Sequence, residues 1–170
     1  MPKRIIVHWS AGAYNPNHLD YTHYHIMITG DGLTVEGKFP ISANEVCKTD
    51  SKGNALYAAH TGGGNTGSIG FAYCAMAGYK NRQNVGLYPI KAAQLEAGFL
   101  KLAQLCKQYS IPITKDTLLT HYEFGKAHPK TTSSGKIDIT YLPSYPQVPA
   151  ADVGDFIRSK VAWYLKNKVS

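Results

Sequence analysis

Long apolar runs are missing from this sequence of 170 residues. No stretch approaches the ~18 apolar residues that a membrane-spanning helix needs. Ile5, Ile6 and Val7, behind Met-Pro-Lys-Arg, are too few for the apolar segment of a secretory signal. Synthesis in the cytoplasm without a signal peptide, and no stable membrane insertion, are therefore expected. Paired cysteines are missing as well. Cys47, Cys74 and Cys106 are odd in number and widely spaced, with no Cys-x-x-Cys, and are read as small buried hydrophobes, not as a disulfide framework or a zinc knuckle. There is no internal repeat. Acidic residues are scarce: 11 Asp+Glu against 18 Lys+Arg leave a net charge of +7. That surplus favours an anionic partner such as nucleic acid, an acidic membrane or a bacterial wall polymer. A nucleic-acid reader would need a basic helix with base-reading spacing or an aromatic RNA-binding signature, and neither is present.

What remains is an ordinary globular composition, 44% hydrophobic and 17% charged, with enough chain for one domain and its own core. Residues 4–9 form a short β-branched strand, and 10–20 a loop rich in Gly, Asn, Pro and Asp. Residues 23–29 alternate as a second strand, with Tyr24, Ile26 and Ile28 on one face. The turn Gly30-Asp31-Gly32 leads into a third at 33–36. Residues 56–60 are a short strand candidate, followed by the glycine-rich loop 61–67 and a buried strand over 68–75. Pro89 suits the first turn of a helix whose apolar positions run from Ala92 to Cys106. A short strand at 117–120 ends at His121, and a long polar loop occupies 126–135. A last helix over about 151–166 turns Val153, Phe156, Ile157, Val161, Tyr164 and Leu165 inward and Arg158, Lys160, Lys166 and Lys168 outward. Strands alternating with helices predict a single α/β domain, a central mixed β-sheet flanked by helices.

Seven histidines offer candidate chemistry. His8 interrupts an apolar strand, His121 stands where a strand ends, and Asp138 follows the polar loop. Two imidazoles and a carboxylate suffice for catalytic zinc with one position left open; spacing alone leaves hydrogen-bonded core histidines an equal alternative. A second candidate metal pair is His23 and His25, two apart on the expected strand but without an evident third ligand.

Five blocks occur in order: Ile6-Val7-His8-Trp9-Ser10-Ala11; Tyr24-His25-Ile26-Met27-Ile28 before Asp31-Gly32; His60 leading to Asn65-Thr66-Gly67-Ser68-Ile69-Gly70; Thr120-His121-Tyr122-Glu123; and Lys136-Ile137-Asp138. From about residue 4 to 143 this series resembles the zinc-dependent N-acetylmuramoyl-L-alanine amidases of the type 2 amidase family, which includes phage lysozyme, cytoplasmic muropeptide-recycling amidases and peptidoglycan recognition proteins. The resemblance implies Zn2+ held by His8, His121 and Asp138, with Tyr24 and Lys136 as catalytic groups at the reacting centre. It implies that His60 and Asn65 border the substrate groove. Glu123, the only acid close to His121 in sequence, is expected to orient a ligand imidazole. The implied domain spans 1–150, with 151–170 as a C-terminal helix packed on it.

Two departures from the family pattern stand out. Ala72 occupies the place where recycling amidases carry a glutamate base. The connection from His121 to Asp138 is long, so its polar stretch is either a flap over the groove or a tolerated insertion, and His128 is the alternative third ligand. The implied function is amide hydrolysis in peptidoglycan by a monomeric, bacteriolytic, phage-type endolysin that reaches the wall after release. A non-catalytic peptidoglycan-binding module and a muropeptide-recycling amidase are the alternatives. The basic last helix is either a wall-adhesion surface or an ordinary packed helix with a solvated face.

Overall fold

A computed structural model describes residues 1–170. The strands are β1 (Arg4–Trp9), β2 (Ile26–Ile28), β3 (Thr34–Glu36), β4 (Ser68–Tyr73) and β5 (Leu118–Thr120). They form one sheet in the order β3-β2-β4-β1-β5. β2, β4, β1 and β5 run parallel, and only the edge strand β3 is antiparallel. The expected α/β class and mixed sheet are what the structure contains. Helices are α1 (His18–His23), α2 (Ala92–Gln108), α3 (His121–Ala127) and α4 (Val153–Asn167).

Alternation along the strands divides the molecule into two layers. Ile5, Val7 and Trp9 of β1 share one core cluster with Ile69, Phe71 and Tyr73 of β4 and Ile26 and Ile28 of β2. Against this face lie Leu95, Phe99 and Leu102 of α2 and Val153, Ile157 and Val161 of α4. The two helices also pack on each other. Residues of opposite parity face the other way: Ile6 clusters with Leu119 and Phe124, and Ala72 with Met27 and Cys74. His8 belongs to this second face, directly beside Ala72 in the strand register.

The structure corrects several local expectations. The second strand starts only at Ile26, because residues 18–23 are α1. Asn17 caps this helix, and the Asp20 carboxylate accepts from the Asn17 N–H in return. Tyr24, at the end of α1, therefore packs with Met27, Ala72 and Cys74, not with Ile26 and Ile28. No strand forms at 56–60, since its backbone amides are satisfied elsewhere. The Ala58 N–H donates to the Asn44 side chain, and the His60 N–H to that of Asn65. Pro89 lies ahead of α2, whose cap is Lys91. Arg158 does not face outward. It is buried, with a two-pronged pair to Glu123 at 2.7 and 3.0 Å and a bond to the Leu118 carbonyl.

Candidate metal centre

The parallel pairing of β1 and β5 sets Val7 opposite Thr120. The residue that follows each of these is a histidine. His8 and His121 thus stand side by side at the carboxyl edge of the sheet, where parallel α/β sheets gather their ligands. Their ring centroids are 4.6 Å apart. His121 is also the first residue of α3, held by a capping box between Thr120 and Glu123. The next free amide of that turn, the Tyr122 N–H, donates to the Asp138 carbonyl at 2.7 Å. The segment carrying Asp138 is thereby stapled to the turn carrying His121.

The three side chains converge. His8 Nδ1 lies 2.8 Å from Asp138 Oδ2, and His121 Nδ1 3.2 Å from the same carboxylate. One ligand atom from each residue falls within 4.8 Å of the others. His128 is elsewhere: it stacks on Phe124 and bonds that residue's carbonyl. His23 and His25 do not form a pair, since His23 ends α1. Both ring nitrogens of buried His25 are engaged, one by the Gly70 N–H and one by Asn44.

The donor chemistry fits a divalent cation. The Ser133 hydroxyl gives its only proton to the Gly62 carbonyl at 2.8 Å, so toward His121 Nε2, at 2.9 Å, it can only accept. His121 then carries its proton on Nε2, and its Nδ1 lone pair faces the carboxylate. The His121 lone pair, His8 Nδ1 and a carboxylate converge on one point, and a cation between them would satisfy all three. Burial would raise the Asp138 carboxyl, but the two imidazoles beside it, which favour its charged form, outweigh this and hold the group below the usual carboxylate range. Burial lowers His8, against the pull of Asp138.

Around the cluster lies a cavity of ≈ 450 Å³ whose lining includes Tyr24, His60, Asn65 and Lys136. His8, His121, Asp138, Tyr24, Lys136, His60 and Asn65 all line it, whereas Glu123, His25 and His128 do not. Tyr24 sits against His8, ring centroids 5.3 Å apart, its phenol pushed up by burial and then by the charge of Asp138. Lys136 is exposed on the cavity rim. Asn65 uses its amide oxygen to hold the backbone N–H groups of His60 and Thr61. His60 Nδ1 lies 3.2 Å from His8 Nε2, while its Nε2 is buried without a partner. Its ring lies over Gly70, where a Cβ would come within 2.6 Å of it, so a side chain at 70 would displace it. Glu123 needs correction. Its carboxylate holds the Thr120 N–H and Arg158 and is bonded to neither imidazole. The partners behind the imidazoles are Ser133 for His121 and, for His8, His60 with the Thr61 hydroxyl at 3.3 Å. Ser133 and Thr61 were not singled out by sequence, because hydroxyls in polar loops carry no spacing signal.

A family model described as N-acetylmuramoyl-L-alanine amidase matches residues 1–138. No curated protein matches the chain. Among solved structures, a point mutant of PlyL is 21% identical, covering 95% of this chain and 85% of that one, with a TM-score of 0.53. The PlyG catalytic domain is 18% identical, covering 99% and 86%, with a TM-score of 0.51. Both are likenesses of fold. The Ph2119 endolysin from a bacteriophage of Thermus scotoductus is 16% identical over 79% of each chain, with a TM-score of 0.48.

Proposed function

The chain belongs to the N-acetylmuramoyl-L-alanine amidase family, and from that premise we propose that it cuts the amide bond between N-acetylmuramic acid and L-alanine in peptidoglycan, using one zinc ion held by His8, His121 and Asp138. The observation that carries this reading is the convergence of two imidazole nitrogens and a carboxylate, from three separate segments, within 4.8 Å. Three protein ligands are the number that leaves a catalytic position open. When bound, zinc supplies a Lewis acid that polarises the scissile carbonyl and acidifies water at neutral pH.

Other side chains act on the substrate. The Tyr24 phenol, beside His8 in the cavity wall, donates a hydrogen bond to the carbonyl oxygen as it gains negative charge. The Lys136 ammonium approaches the same oxygen from the rim. Both contacts strengthen as the amide becomes tetrahedral, so they lower the barrier more than they tighten binding. His60 supports His8 from behind and, with Asn65, forms the wall against which the substrate lies. Ala72, beside His8 in the register, offers a methyl where recycling amidases carry a glutamate. That favours the wall-degrading role over muropeptide recycling. We assign the chain to a monomeric phage-type endolysin whose surplus of positive charge favours adhesion to the anionic wall.

Digestion of purified peptidoglycan tests the proposal. The expected products are new alanine amino termini without new reducing sugars, and cutting stops on chelation and returns with zinc. Reducing ends, or cutting indifferent to the chelator, would overturn it. Sedimentation with the wall without any cutting would mark a binding module instead.

A further inference from the structure

The long connection between His121 and Asp138 is anchored from within by Ser133, which is fully buried. Its hydroxyl joins His121 Nε2 to the Gly62 carbonyl, and its backbone carbonyl lies where a Cβ on Gly125 would go. Thr132 fills the space a side chain at Gly62 would need, and Thr131 does the same at Gly63. The connection is thus wedged against the glycine-rich loop that carries Thr61, and Thr61 in turn touches His8.

We propose that Ser133 is a positioning residue for the metal: its hydroxyl, oriented by Gly62, fixes the Nε2–H form of His121 and aims the Nδ1 lone pair at the ion. The inference rests on the metal reading above. It gives the extra length of the connection a purpose, because the chain that leaves α3, passes over Gly62 and returns to Asp138 places a hydroxyl behind His121. A ligand imidazole whose outer nitrogen is held in this way binds its metal more tightly, and removing such a partner typically weakens binding about 10–100-fold.

Zinc affinity, measured by competition with a chromophoric chelator on the full chain, tests this. Ser133→Ala is expected to bind zinc about 10–100-fold more weakly. Thr131→Ala loosens the same loop without removing the Ser133 hydroxyl, since the Thr131 hydroxyl bonds the His128 carbonyl and accepts from the Ser133 N–H, and it should stay within about twofold of the unmodified chain. As a second readout, both variants are loaded with saturating Co2+. The visible bands should shift for Ser133→Ala, where the imidazole has turned, and overlay those of the unmodified chain for Thr131→Ala. Unchanged affinity and bands in Ser133→Ala, with one zinc bound by the unmodified chain, overturn this inference alone. Equal losses in both variants overturn it too, since loop packing and not the hydroxyl would be responsible. Failure of the unmodified chain to bind zinc overturns the metal reading itself.

Discussion

At the residue scale, the centre is built from side chains of unequal legibility. His8 and His121 stood out because a polar ring inside an apolar strand, or at the end of one, costs free energy unless it has a partner. Asp138 rested on resemblance, and the staple from Tyr122 to its carbonyl now explains why so distant a residue arrives at the site. Asp138→Ala is expected to bring zinc content from one per chain to near zero, whereas His128→Ala leaves it at one. Metal analysis after gel filtration distinguishes the two, and a zinc-free His128 variant would make that residue the ligand. Lys136→Ala and Tyr24→Phe should keep their zinc and lose roughly 10²–10³ in kcat, about 3–4 kcal/mol each. Retained turnover in either variant removes that side chain from the transition state. Glu123 was misjudged for a geometric reason. Residues two apart on a helix point in widely different directions, so its nearness to His121 in sequence carried its carboxylate away from the imidazole and toward α4.

Helices were legible in proportion to their length: α2 and α4 repeat their apolar period often enough to be read, whereas β1 and β4 were read as short apolar runs. α1 and α3, with 6 and 7 residues, are too short to show a 3.6-residue period, and they were not foreseen; their capping residues, Asn17 with Asp20 and Thr120 with Glu123, are the local signal they carry. Arg158 could not be placed by period either, because its burial depends on Glu123, 35 positions away. This pair joins α4 to the first turn of α3, so Arg158→Met, which strands the Glu123 carboxylate, should cost about 3 kcal/mol. Thermal melting should register that as a fall of roughly 6–12 °C; an unchanged midpoint would mean the pair is solvated. A second element-level consequence concerns His25, which ties β4 to the segment around Asn44. Burial holds its imidazole down at about 4, from an ordinary 6.5, against the opposing Asn44 bond. The unfolded chain therefore takes up this proton first as pH falls. The stability contributed by neutral His25 is whole above pH 6.5 and is lost between 6.5 and about 4, on the order of 3 kcal/mol in all. The His25 ring resonances should titrate with a midpoint near 4, and a midpoint near 6.5 would show the ring open to water.

For the whole molecule, alternation of strands and helices was enough to give the α/β class. The strand order was not readable, because nothing local to β1 says that β4 and β5 lie on either side of it. That order creates the site: only with β5 beside β1 do His8 and His121 become neighbours. Charge is likewise a property of the whole chain. A surplus of +7 acts over a Debye length, about 30 Å at 0.01 M salt, 10 Å at 0.1 M and 3 Å at 1 M. Contacts inside the cavity are short and partly shielded from water, so salt screens them far less. Raising salt should therefore weaken attraction to an anionic wall while leaving bond cleavage in the cavity nearly untouched. Between about 0.05 and 0.5 M sodium chloride, kcat/KM on intact walls should fall roughly tenfold or more, while hydrolysis of a small soluble muramyl-peptide should stay within about twofold. If both substrates decline together, salt is acting on the site, and the surface charge has no part in holding the protein to the wall.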